Sequence, residues 1–386
     1  MTISKMKDLK SLWSRRDFLS TVSLACAGTA MMLHPMAAWA IEDIDPRVAK
    51  IVADTIGVDT HNHIDVPLET AGLPGPKIDL AGEMKRSGLS VICMTFATDY
   101  QKGNAYDRFL NGLTALDEQL KINGLKRALT LSDLNKAHKK RQPAVIQAVE
   151  GAHFLDGHLD RLSSAYNRGL RLLTLLHDSD ANVPLGDVFT NPVRYGGLTT
   201  FGADVIRECN RLGILADLSH ANVETVTAAL KVTSRPLIVS HTGLDTLPGN
   251  NADMARMMKP RLISKEHAKY VAGTGSIIGV WTHLADSSLE YAHNIRAMVD
   301  VVGIDHVCIG TDTKLTPAYH PPGDKHGGPG GKMGGGSNEI WSDQKLGFYY
   351  TVVDALLKTG FNADEIGKIG GGNFCRVFDA ATKGHH

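Results

Sequence analysis

Eight short runs of apolar and β-branched residues recur along the chain, at Ile56–Asp59, Ser90–Phe96, Ala144–Glu150, Leu170–Leu176, Ile214–Leu218, Pro236–Ser240, Ser276–Trp281 and His306–Gly310. Each is continuously apolar and bounded by turn residues, the pattern of strands buried on both faces. Segments of helical period lie between most of them. Tyr106–Ile122 places Phe109, Leu110, Leu113, Leu116 and Leu120 on one side, and Thr199–Arg211 does the same with Phe201, Val205, Ile206 and Cys209. Ser264, with Glu266 in the first turn, reads as a helix N-cap. Ser337-Asn338-Glu339 predicts the opening of a helix that runs to Lys358, with Gly360 as its stop.

Eight strands alternating with helices predict an α/β fold, a (β/α)8 TIM-type barrel with its chemistry at the C-terminal face. A doubly wound open sheet is the competitor, and it would gather its ligand residues at one or two switch points. Here polar residues of interest follow at least five strands, which favours closure. The stretch between Leu315 and Ser337 breaks the alternation. Its run of Gly and Pro can neither pack nor hold a helix, which predicts a loop over the active face bearing His320 and His326.

Ser14-Arg15-Arg16-Asp17-Phe18-Leu19 is a twin-arginine pattern, followed by an uncharged stretch that closes on Ala38-Trp39-Ala40. Residues 1–40 therefore read as an export signal cleaved near Ala40, and residues 41–386 as a single barrel domain in the periplasm, without stable membrane insertion. The twin-arginine export machinery is thus an expected partner. Five of the 41 basic and two of the 41 acidic residues fall in the signal, which leaves 36 against 39. No basic cluster persists, so nucleic acid is excluded as a partner. Cys93, Cys209, Cys308 and Cys375 lie far apart and form no C-x-x-C, and their default reading is buried thiols.

The candidate chemistry sits where the strands end. His61 and His63 follow the first strand and, by strand alternation, point the same way. Glu150 follows the third, His177 the fourth, His220 the fifth, His241 the sixth and Asp312 the eighth. Histidines and carboxylates that converge on one rim have the inventory for two divalent metals, and they suit zinc better than manganese or iron. Glu150 is the natural bridge, because one carboxylate offers an oxygen to each ion.

Several segments in order carry a family resemblance: Asp59-Thr60-His61-Asn62, Glu150-Gly151-Ala152-His153, Leu173-Thr174-Leu175-Leu176-His177, Gly197-Leu198-Thr199-Thr200-Phe201-Gly202, Asp217-Leu218-Ser219-His220, Ser240-His241, Gly310-Thr311-Asp312 and Gly372-Asn373. From about Val58 to Phe378 the chain resembles the membrane (renal) dipeptidase family, an amidohydrolase-type metallopeptidase barrel. The resemblance implies that His61 and His63 hold one zinc, that His220 and His241 hold the other, and that Glu150 bridges them. It further implies that His177 steadies the oxyanion, Arg261 grips the substrate's terminal carboxylate, and Asp312 moves the proton between the attacking water and the leaving amine. A small dipeptide-like substrate and a homodimer follow from the same resemblance. The chain departs from the family at His63 and Lys314, both of which stand where aspartate is usual.

The expected function is hydrolysis of a small amide by a hydroxide shared between two metals. The alternatives are a lactonase, a cyclic amidase or a natural-product maturation enzyme on the same barrel, and a non-catalytic periplasmic relative with an altered metal site.

Overall fold

All eight apolar runs form strands in the computed structural model, which describes residues 44–99, 103–189, 192–319 and 336–383. In chain order, the first half holds α1 (Pro46–Asp54), β1 (Val58–His63), α2 (Leu80–Ser87), β2 (Val91–Thr95), α3 (Ala105–Asn123), α4 (Leu131–Lys139), β3 (Ala144–Glu150), α5 (Arg161–Asn167) and β4 (Leu170–Thr174). Next come α6 (Thr200–Leu212), β5 (Leu215–Asp217), α7 (Val223–Val232), β6 (Ile238–Thr242), α8 (Ala252–Met258), α9 (Lys265–Ala272) and β7 (Ile277–Val280). The last part holds α10 (Ser288–Val302), β8 (Val307–Ile309), β9 (Thr313–Lys314), α11 (Phe348–Lys358), α12 (Ala363–Gly367) and α13 (Asn373–Thr382). The proposed export signal and the histidines His320 and His326 lie outside the described residues. No helix among the described residues is long and apolar enough to cross a membrane.

Local chemistry explains the helix ends. The Asn104 side chain accepts from the amides of Tyr106 and Asp107 at the start of α3, and Gly124 ends that helix in the left-handed region. Thr199 and Ser264 cap α6 and α9 in the same way. One expectation is corrected. The helix expected to open at Ser337 begins at Phe348, and Ser337–Glu339 is only a single 3-10 turn. Tertiary contacts take the intervening polar groups: Asn338 Oδ1 accepts from the Phe348 amide, and the Trp341 indole donates to the Ala285 carbonyl. Gly347 then passes so close to α2 that a Cβ there would meet the Arg86 carbonyl oxygen at 1.7 Å.

The strands are parallel and adjacent in sequence order from β1 to β8, with β9 on the far side of β1. β8 and β9 are two halves of one kinked strand: the first pairs with β7, the second with β1, and the sheet closes on itself. The kink falls at Asp312, whose φ is +54° and whose amide donates to the His61 carbonyl at 3.1 Å. A single apolar cluster joins residues of all eight strands from β1 to β8, among them Cys93, Ile146, Leu172, Ile238 and Cys308, to Phe374, Val377 and Phe378 of α13. Phe374 and Phe378 each contribute about 1.5–3 kcal/mol by leaving water. Cys93, Cys209 and Cys308 are buried free thiols as expected, and Cys375 is a half-buried one.

Higher in the barrel the packing is tighter still. The Thr60 hydroxyl reaches the carbonyls of both Ser240 and Ile309 at 2.9 Å. A Cβ on Gly310 would lie 1.7 Å from the Ser240 oxygen and 2.7 Å from the Thr60 hydroxyl. Because the obstacle is backbone, it cannot rotate away. Gly310→Ala should therefore cost about 1–3 kcal/mol, read as a lower urea midpoint with an unchanged m-value. An unaltered midpoint would show that β8 can shift without loss.

Candidate metal centre

A β-bulge between Asp59 and Asn62 interrupts the register of β1 with β2. Beyond it, His61 and His63 face the same point, with their Nε2 atoms 3.3 Å apart. Glu150 ends β3 between two neighbouring strands and is wholly buried. The other predicted histidines surround it. His61 and His220 bring Nε2 to 3.2 and 3.0 Å from its Oε1, while His63 and His177 approach Oε2 at 3.4 and 3.2 Å. His241 lies 3.8 Å from Oε1, and its Nε2 is 2.9 Å from that of His220. Asp312 stands across the ring, its Oδ1 3.3 Å from His63 Nε2.

This donor set fits divalent metal. Both Glu150 oxygens are buried without a hydrogen-bond partner, despite the crowd of ring nitrogens. The outer nitrogens of four rings are engaged: His220 Nδ1 with Asp178 at 3.0 Å, His241 Nδ1 with Ser240 Oγ at 2.9 Å, His177 Nδ1 with Asp99 at 2.6 Å, and His61 Nδ1 with Ser240 Oγ at 3.4 Å. Such contacts set the tautomer and leave the Nε2 lone pair facing inward, as in metal-ligating histidines. At 2.9 Å the Nε2 atoms of His220 and His241 need a cation, proton or metal, between them. Among the described residues four triads meet the spacing for an ion, and two of them, His61–His63–Glu150 and Glu150–His220–His241, share Glu150.

The electrostatics follow from burial against charge. Burial alone would raise Glu150, but His177 and His61 hold it well below the usual carboxylate range. Asp312 is also opposed by burial and is held well below that range by His241 and by a hydrogen bond from His283. Burial pulls His61 and His220 down, yet Glu150, with Asp178 for His220, raises them to about 9 and about 10. His241 is pushed well below its ordinary value, first by burial and then by the neighbouring His61. The acids thus demand positive charge at the point where the two triads meet.

Two site residues hold strained backbone: His220 at φ +66° and Asp312 at φ +54°. Left-handed backbone at a residue with a Cβ costs about 1 kcal/mol or more and clusters at functional sites. Arg261 lies at the rim, donating to Asp178 Oδ2 at 2.8 Å, with its guanidinium 5.1 Å above the Phe189 ring. Lys314 pairs with Asp65 at 2.7 Å and is partly exposed.

Sequence reasoning missed the partners that orient the ligands. Asp99 follows β2 and His283 follows β7, so the strand-end rule applied to every strand would have found both. Asp178 adjoins His177. Asp217 lies beneath the site and accepts from the hydroxyls of Thr174, Ser219 and Ser240 and from the amides of Ser219 and Ser240. No sequence signal separates it from an ordinary strand-end aspartate.

Comparison with known proteins accords with this geometry. The sequence model of the family described as Membrane dipeptidase (Peptidase family M19) matches residues 46–386. Dipeptidase 3 of Macaca fascicularis is 26% identical over 264 residues, 67% of this chain and 49% of that protein. The chain spans about half the length of the curated relatives it matches. An amidohydrolase from Pseudomonas aeruginosa superposes with a TM-score of 0.69 at 21% identity, covering 86% of this chain and 98% of that one. A metallo peptidase from Rhodobacter sphaeroides, liganded with a phosphinate mimic of the dipeptide L-Ala-D-Ala, superposes with a TM-score of 0.61 at 18% identity, covering 85% and 100%. At such identities these two likenesses speak to the fold alone. The family match, by contrast, runs through the whole barrel and every residue of the centre, and on that ground the chain belongs to the membrane dipeptidase family, peptidase family M19.

Proposed function

We propose that this protein is a metal-dependent hydrolase that cleaves the amide bond of a dipeptide or a similarly small substrate. The observation that carries the reading is the buried, unpartnered Glu150 carboxylate shared by two histidine pairs. His61 and His63 would hold one ion, His220 and His241 the other, and Glu150 both, and zinc suits this set best. Bound divalent metal supplies Lewis acidity toward the scissile carbonyl and brings the pKa of water toward neutrality.

The chain's own residues account for the remaining chemistry. Asp312 faces the ring with one oxygen and is held ionised, so it can accept a proton from the attacking water. As the carbon–oxygen bond forms and the carbon–nitrogen bond breaks, it returns that proton to the amine, which leaves poorly without it. His177, oriented by Asp99, is placed to donate to the developing oxyanion. Arg261 at the rim offers two N–H groups to a terminal carboxylate. The dipeptide mimic bound by the Rhodobacter sphaeroides relative supports a substrate with a D-residue on its C-terminal side. The signal pattern in residues 1–40 supports export through the twin-arginine route to the periplasm. A homodimer rests on the family resemblance.

Glu150→Ala should abolish both metal loading and turnover, measured by metal analysis of the purified variant beside a dipeptide panel that includes L,D pairs and lactones. Normal turnover in that variant would remove Glu150 from the mechanism. Asp312→Asn should keep its metal and lose about 10²–10⁴ in kcat. A variant that lost metal instead would make Asp312 a ligand rather than the proton carrier.

A further inference from the structure

Among the described residues His283 stands outside every group that could hold a metal, yet it touches the centre. Its Nε2 lies 3.0 Å from Asp312 Oδ2, the oxygen that faces away from His63. Both residues are anchored by the same short contacts. The Thr282 hydroxyl and amide reach the Thr311 carbonyl at 3.1 and 3.5 Å, which ties the residue before His283 to the residue before Asp312. Thr311 in turn gives its amide and hydroxyl to the buried Asp59 carboxylate at 2.9 and 2.7 Å. The His283 ring stacks edge-on against Trp281, which is buried with Met258 and Leu284. The imidazole is therefore packed on one side and aimed at Asp312 on the other.

We infer that His283 is a positioning residue for Asp312: its Nε2–H holds Oδ2 and so turns Oδ1 toward the imidazole ring of the centre. Asp312 sits on a strained kink between two half-strands, where a carboxylate held at one oxygen only could swing about its side-chain torsions. A donor on the outer oxygen removes that freedom, and displacements near 1 Å in such groups cost about 10²-fold in rate. An ionised carboxylate oxygen can only accept, so the contact places the ring proton on Nε2, facing Asp312. The inference rests on the hydrolytic reading above.

The test uses the full-length zinc-loaded protein. His283→Ala should lower kcat about 10–100-fold while leaving KM and metal content unchanged, and His283→Gln, which restores an N–H donor, should recover most of the loss. In an Asp312→Asn background, His283→Ala should cost no more than about twofold, because the two act as a unit. Lost metal, a raised KM alone, or no rescue by glutamine would overturn the inference in favour of packing or substrate contact. A second arm needs no activity. With ¹⁵N-labelled histidine, the His283 Nε2–H resonance, identified by its disappearance in His283→Gln, should be protected from exchange in the parent and lose that protection in Asp312→Ala, which leaves no acceptor. Unchanged protection in Asp312→Ala overturns the inference. Failure of the parent protein to hydrolyse any amide in the panel would sink the hydrolytic reading, and the resonance would still decide the contact.

Discussion

A carboxylate buried without a hydrogen bond is the constraint around which this molecule is built. Removing an ion from water costs several kcal/mol even after a protein relaxes around it, and Glu150 sits at the end of a strand with both oxygens shielded. Positive charge or ligated metal is the only offset within reach. The five imidazoles bring the means for either, since each can carry a proton or offer a lone pair. The outer nitrogens of four of them, all but His63, are held by Asp99, Asp178 and Ser240, so those rings are fixed before anything binds.

The barrel separates this demanding end from the end that supplies stability. Apolar residues from eight strands meet Phe374, Val377 and Phe378 in one cluster, and nothing in that cluster titrates usefully, because burial pushes Cys93 and Cys308 thiols upward. At the other end the backbone accepts left-handed geometry at His220 and Asp312. Such strain persists where surrounding contacts over-determine it. Here the contacts include the Asp217 network beneath the site and the Thr311–Asp59 bonds beside it.

The two departures from the family pattern have different consequences. His63 stays in the centre, with Nε2 3.4 Å from Glu150 and 3.3 Å from Asp312, so negative charge there comes from those two acids. Lys314 does not bring its charge to the ring unopposed. It is the register partner of His63 across the β1–β9 pairing, and it finds Asp65 at 2.7 Å. The pair leaves the rim polar and close to neutral on that side.

The number and order of the eight barrel strands, the Ser264 helix cap and the candidate residues that the structure gathers round Glu150 could be read from one chain. They are local facts: apolar runs have a period, caps have a residue type, and a histidine after a buried strand points to the mouth of a barrel. The start of α11 was misplaced because Asn338 and Trp341 answer to distant partners, Glu83 and Ala285, rather than to neighbours in sequence. Asp99 and His283 end strands and could have been listed as candidates, but their roles, like those of Asp178 and Asp217, were hidden for a related reason. An aspartate that orients a histidine and one that merely ends a strand look alike until the partner is in place, and those partners lie 78, 42, 23 and 29 positions away. Sequence by itself determined which side chains could do chemistry. Only closure of the sheet through the split eighth strand decided that they do it together, because interactions over about 3 Å exist only once residues far apart in the chain share one rim.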